Sequence, residues 1–431
     1  MTSLTNALAG FATGPVTTTP DARVVAALSA LDWVAVGCAG ADEPVSRITR
    51  SMILDEGGAE AATLFGGGAA PVRGAALVNG TVSHALDYDD THFAHIGHPS
   101  VAVFPAALSW AEANGQALVE MLEAALVGME LSVRVGLWLG RGHYQVGFHQ
   151  TATAGAFGAA AAAGRLAGLT SAQMAQAMGL TATRAAGLKA QFGTMGKPYN
   201  AGTAAANGIE AVQLVRLGFE AEVLAMEGDF GFGATHHGAD DMQAALEGLG
   251  QEWLFEQVSH KFHACCHGLH AALEAARELD IAEPEVEHIT VRSHPRWMSV
   301  CNQPSPMTGL GAKFSFRTVL AMRALGYDTA RLDAFSDKVC AEPRLQALRE
   351  RVTVEADDTL SETEAVVTLL RRDGQERVAR HDLRGPMTLS AREERVRGKA
   401  VGLIGKARVD GIWELLQRGG AASDLARYLG G

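Results

Sequence analysis

Long unbroken apolar runs are missing from this chain of 431 residues. No stretch reaches the roughly 18 to 20 consecutive apolar residues of a membrane span. The richest, Ala152 to Leu169, is mostly alanine and is interrupted by Arg165. No membrane partner is therefore expected. Met1 to Val25 lacks the basic start and continuous apolar core of a secretory signal. Cysteine is scarce. Cys38, Cys265, Cys266, Cys301 and Cys340 are odd in number and irregular in spacing, which argues against a disulfide framework and against an iron–sulfur cluster. A soluble, reducing, cytoplasmic protein is expected. Positive charge is in deficit: the net charge of −12 makes nucleic acid an unexpected partner, although a locally positive pocket can still hold a small anion. A phosphate loop is absent too. In Gly193-Thr-Met-Gly196-Lys197-Pro198 the glycines are too close together and proline follows the lysine. Such a lone lysine can nevertheless hold a carboxylate. There is no internal repeat and no low-complexity linker.

The composition that remains, 48% hydrophobic and 19% charged with 6% aromatics, is that of a globular chain. Its length allows two or three domains. The 49 glycines and the alanine runs favour closely packed helices. Helices are expected over Asp21 to Ala39, Glu43 to Glu56, and from Ser100 through Leu139. Another runs from His149 to about Leu166, where Gly155 and Gly158 suggest a close backbone neighbour. Thr170-Ser-Ala-Gln173 looks like a capping box, with its helix stopping at Gly179. The stretch Gly193 to Gly202 reads as a loop leading into a small-residue helix. After Pro284 the pattern changes: Val286 to Arg292 and Val352 to Ala356 read as strands. Glu364 to Arg371 and Glu376 to Leu383 read as a hairpin about Asp373-Gly374. Residues from about 271 to 390 thus form an α+β unit, and helices return from Ser390 to Leu429.

Chemistry is densest between His84 and Ser100, where His84, His92, His95 and His98 accompany Asp87, Asp89 and Asp90. His84, Asp87 and Thr91 fall at i, i+3 and i+7, one face of a helix, whereas Gly97 and Pro99 put His98 on a loop. Three readings compete here: a polar surface loop, a metal site, and a metal-free acid/base centre in which an aspartate orients a histidine. His149, in the first turn of its helix, is either a capped, half-buried residue or a functional one, since a helix start favours negative charge. In Lys261-Phe-His263-Ala-Cys265-Cys266-His267-Gly-Leu-His270, the pairs His263/His267 and Cys266/His270 have helical metal-ligand spacing. No nearby carboxylate completes a ligand set.

Four of these stretches together resemble the MmgE/PrpD family in order and spacing. They are Asp87-Tyr-Asp-Asp-Thr91 with His98-Pro-Ser, Gly147-Phe-His149-x-Thr-Ala, Gly196-Lys197 with Ala201-Gly202, and Lys261-Phe-His-Ala-Cys. The family includes 2-methylcitrate dehydratases, cis-aconitate decarboxylases and iminodisuccinate epimerase. The resemblance covers nearly the whole chain. It implies a mainly α fold: a large all-helical domain built from both chain ends (1–270 and 391–431), and a smaller α+β lid domain (271–390). It also implies a homodimer, a site in the cleft between domains, and no metal or organic cofactor. Carried over by position, it implies catalytic His98, His149, Asp87 and Thr91, with Lys197 and Lys261 holding carboxylates of a small polycarboxylate substrate. The implied activity is a cofactor-independent lyase, either dehydratase or decarboxylase, with an epimerase of an amino-dicarboxylate such as iminodisuccinate as the alternative. One departure stands out. Arg317-Thr318 replaces the Pro-Tyr pair of many members, which suggests a different substrate.

Overall fold

The computed structural model describes residues 3–279 and 281–430. Its chain divides into two compact units, Met1–His260 with Arg392–Gly431, and Lys261–Ala391. The larger unit is built of helices: α1 (Leu4–Thr13), α2 (Pro20–Gly40), α3 (Pro44–Glu56), α4 (Val72–His84), α5 (Ser100–Ala113), α6 (Leu118–Val146), α7 (Gln150–Leu166), α8 (Ser171–Arg184) and α9 (Gly196–Arg216), joined at the end by Leu389–Ile404 and Lys406–Arg418. A two-residue antiparallel ribbon, β1 (Ala62–Thr63) with β2 (Ala69–Ala70), interrupts them. Local signals set the helix starts. Thr19 caps α2 ahead of Pro20, and Thr170 and Gln173 form the capping box of α8.

Close approach holds this unit together. Helix α7 is buried from Gln150 to Gly164, and its alanines Ala159, Ala160 and Ala163 pack with Ala76, Trp110, Ile209 and Val212. Alanine offers little area, so the gain comes from dispersion between backbones that nearly touch. A Cβ on Gly158 would lie 2.5 Å from the Gly128 carbonyl oxygen, and one on Gly80 would lie 2.8 Å from the Gly202 Cα. Helix α2 is long and apolar enough to cross a bilayer, but 78% of its apolar window is buried within the protein. Two expected boundaries fail. Helix α8 runs through Gly179 to Arg184. Gly179 is not a stop; a Cβ there would collide with the carbonyl oxygen of Glu222. Helix α9 begins at Gly196, so Lys197 sits in a helical first turn and not on a loop, with Pro198 tolerated there because first-turn N–H groups lack helical partners.

In the second unit β3 (Val286–Ser293), β4 (Val352–Ala356), β5 (Glu364–Arg371) and β6 (Glu376–Asp382) form one sheet in the order β4-β3-β5-β6. The β3–β4 pair is parallel, and the other two pairs are antiparallel. Gly374, at φ +83°, makes the hairpin turn between β5 and β6. Charged Glu376, Arg377 and Arg380 line exposed edge strand β6, which discourages pairing with another chain. Helices His270–Glu278 and Phe316–Ala324 belong to this unit. The second is capped by Ser315, whose Oγ accepts from the amide and the hydroxyl of Thr318 at 3.2 and 2.9 Å.

Candidate active site

Helix α4 ends at His84, and the chain then turns through Asp87 at φ +51°, a left-handed conformation that aspartate tolerates. The expected helical face is therefore not formed: His84 is the last helical residue, while Asp87 and Thr91 lie on the loop. Thr91 is drawn into a short antiparallel bridge. Its amide donates to the Ser259 carbonyl at 2.9 Å and its carbonyl accepts from Ser259 at 2.7 Å. The loop closes on itself where the His92 amide donates to the Gly97 carbonyl at 2.8 Å. Helix α5 then starts at Ser100.

Asp89 is the hub of this loop. Its Oδ1 lies 2.9 Å from His84 Nδ1 and its Oδ2 lies 2.8 Å from His98 Nδ1. Burial alone would raise the pKa of this fully enclosed carboxyl, but the two imidazoles reverse the effect and hold it well below the usual carboxylate range. The His98 amide donates to Thr151 Oγ1 at 3.1 Å, which anchors the loop to α7. Asp87 links the histidine to a cation: Oδ1 is 3.6 Å from His98 Nε2, and Oδ2 is 2.7 Å from Lys197 Nζ.

His149 lies just before α7, at its N-cap position and not in its first turn, with no side-chain capping bond, and is 2% exposed. Its Nδ1 accepts from Asn200 Nδ2 at 3.2 Å, and the Phe192 ring meets it edge-on at 4.9 Å. Its ring centroid is 6.0 Å from that of His84, which is in turn 4.6 Å from that of His98. Burial first, then His84, Lys197 and His98, push the His149 pKa well below 6.5, so the ring is neutral near pH 7.

The remaining histidines of the stretch serve structure. His92 Nε2 bonds the Leu254 carbonyl at 2.8 Å. His95 fills the space that Gly97 and Gly136 leave open, and burial pushes its pKa down to about 3. Asp90 accepts from Ser100 Oγ at 2.5 Å, and burial raises its pKa to about 7. Lys399 donates to the Tyr88 carbonyl at 2.6 Å and pairs with Asp32 at 2.7 Å, both ends buried.

Of the residues expected in the site, Asp87, His98, His149 and Lys197 thus gather in the helical unit, with Thr91 on the same loop. Lys261 opens the other unit, buried beside Cys265 and His270. The helical ligand spacing around it does not become α-helix, which starts only at His270 after the 3-10 turn His267–Leu269. His263 instead bonds Thr329 at 2.7 Å and Glu274 at 3.0 Å, the carboxylate that the local sequence lacks. Asp89 and Asn200 lie outside the residues expected in the site, and His84, expected on a helical face with Asp87 and Thr91, bonds Asp89 instead. The spacing of His84 and Asp89, five residues across a helix end, matches no helical or strand period. Asn200 shares a face of α9 with Lys197, three residues before it, but a stretch that reads as a loop conceals that face.

His84, Asp87, Asp89 and His98 each offer one ligand atom, all within 4.8 Å of one another. Two imidazoles and two carboxylates would suit a borderline ion such as zinc. Lys197 already neutralises Asp87, so an ion would have to compete with that ammonium. The arrangement can also work alone: a cation for a carboxylate, and imidazoles for proton transfer.

Residues 6–245 match the MmgE/PrpD N-terminal domain, and residues 263–412 match the MmgE/PrpD C-terminal domain. The cis-aconitate decarboxylase of Aspergillus terreus is 28% identical over 356 residues, 75% of this chain and 72% of that protein. The cis-aconitate decarboxylase of Homo sapiens is 26% identical over 373 residues, 80% of this chain and 76% of that protein.

Proposed function

The chain belongs to the MmgE/PrpD family, and on that premise we propose that it is a lyase acting on a small di- or tricarboxylate without metal or organic cofactor. The observation that carries the reading is the cluster in which half-buried Lys197 and Asp87 pair at 2.7 Å and buried His98 lies 3.6 Å from Asp87, with buried His149 beside them. A substrate carboxylate takes the charge of Lys197, which Asp87 otherwise neutralises. In dehydration a histidine takes the proton from the carbon next to that carboxylate and the hydroxyl group leaves as water; in decarboxylation carbon dioxide leaves and a histidine gives a proton to the carbon skeleton; the lysine charge stabilises the enolate-like species on either route. The enolate-like species, and not the direction of proton transfer, is what dehydration and decarboxylation share. The family motif, and not a distance, supports Lys261 as a further carboxylate holder. Relatives that are cis-aconitate decarboxylases favour a tricarboxylate substrate. The enzyme is proposed to be cytoplasmic and to act as a homodimer.

Hydrogen–deuterium exchange at the α-carbon of candidate acids tests the reading. Exchange accompanied by elimination or loss of carbon dioxide supports it. Exchange with inversion and no elimination would replace it by the epimerase alternative. Tight polycarboxylate binding with no exchange would make the protein a binder that kept the fold.

A further inference from the structure

His98 and His149 are chemically the same side chain, yet the protein gives their rings opposite partners. Asp89 places an anionic carboxylate oxygen 2.8 Å from His98 Nδ1, an ion-pair contact. Asn200 presents an amide donor to His149 Nδ1 at 3.2 Å. A neutral imidazole carries one ring proton, and the partner at one nitrogen decides which nitrogen holds it. We infer that Asp89 and Asn200 are positioning residues that set the two histidines in opposite tautomers, so that His98 offers a lone pair at Nε2 and His149 offers an N–H at Nε2. His98 is then the base of the site, and His149 is a neutral hydrogen-bond donor to developing negative charge on the substrate. The inference rests on the proposed reaction for the meaning of those roles, but not for the tautomers themselves.

Three further observations agree. His84 Nδ1 holds the other oxygen of Asp89 at 2.9 Å, which anchors the carboxylate beside His98. Asp89 is held as an anion, the state that keeps a proton on His98 Nδ1 and stabilises the imidazolium formed when Nε2 takes another. His149 is held neutral by burial and by its neighbours, so it donates a hydrogen bond without carrying charge. The charged and titratable groups facing His98 include Asp87, Asp89, His84, His95 and His149. Those facing His149 are His84, His98, Lys197 and Asp87.

The test begins with the unaltered protein, selectively ¹⁵N-labelled at histidine, in which protonated and unprotonated ring nitrogens resonate apart. At neutral pH His98 should show a protonated Nδ1 and a bare Nε2, and His149 the reverse. The same tautomer in both rings would overturn the inference. This measurement needs no turnover, so opposite tautomers in a protein that exchanges no polycarboxylate proton would sink the proposed function and leave the assignment standing. Kinetics give a second arm. Asp89→Asn should lower kcat by at least about 100-fold with KM changed far less, and should move the acidic limb of kcat/KM to lower pH, because the base loses its anion. Asn200→Asp should move the His149 proton to Nδ1, raise the pKa of that ring, and add a new ionisation to the profile. Variants that lower melting temperature but leave the shape of the pH profile unchanged would show a structural role only and overturn the positioning. If Asp89→Asn does not fold, the labelled parent protein and Asn200→Asp still decide.

Discussion

Glutamine keeps an N–H donor but has no titratable nitrogen, so it should treat the two histidines unequally. His98→Gln should lower kcat by about 10²- to 10⁴-fold, the usual contribution of a positioned base, with KM little changed. His149→Gln should lose far less, whereas His149→Leu, which removes the donor, should lose about 10²- to 10³-fold. Steady-state kinetics on the three variants check the order. Lys197→Met should raise KM, since it removes a contact made in ground and transition states alike. Asp90 gives a pH signature in stability. Its folded pKa, raised to about 7 by burial and by Asp32 and Asp89, lies above the unfolded carboxyl value. Between about pH 4 and 7 the native state binds the extra proton, so this group stabilises at low pH and its contribution is lost as pH rises through that window. The stability of Asp90→Asn relative to the parent should therefore climb by up to about 4 kcal/mol from pH 4 to pH 8, read from chemical denaturation. An unchanged difference would remove Asp90 as the titrating group. At this scale the sequence displayed the charged loop but not its hub: Asp89 reaches His84 because Asp87 turns left-handed, a choice that no residue pattern announces.

Elements were legible where a local rule sets them. The Thr170–Gln173 box and the Asp373-Gly374 turn are decided within four residues, and both form as expected. Where distant backbone decides, the local rule misleads: Gly179 is a glycine because the Glu222 carbonyl passes beside it. The long loop after α9 is another element whose fixing is not local. Arg134 on α6 donates to the Ala245, Glu247 and Glu252 carbonyls at 2.8 to 3.0 Å. Glu130, one turn earlier, bonds Arg134 at 2.7 Å and accepts the Phe255 amide at 2.8 Å. Removing one member of such a buried pair leaves the other charge unmatched. Arg134→Met should therefore destabilise by about 3 to 5 kcal/mol. Hydrogen exchange should locate the opening in residues 242–257; unaltered protection there would refute the staple.

For the molecule as a whole, activity should survive excess chelator. Loss of activity with release of stoichiometric zinc would make the His84, Asp87, Asp89 and His98 donors a metal centre. Light scattering at micromolar concentration should give about twice the 45.2 kDa chain mass. A monomer mass would end the homodimer proposal. The family was visible in four motifs spread along the chain, but the division at Lys261 and Arg392 follows from long-range packing that no single stretch encodes. That division has a consequence in time. Tyr88 next to Asp89 waits for Lys399, 311 residues further on, to hold its carbonyl. During synthesis the whole second unit leaves the ribosome before that lysine does. The nascent chain therefore carries these histidines and aspartates with the loop unfastened while the whole second unit is made, and the charge that secures the loop arrives only after it.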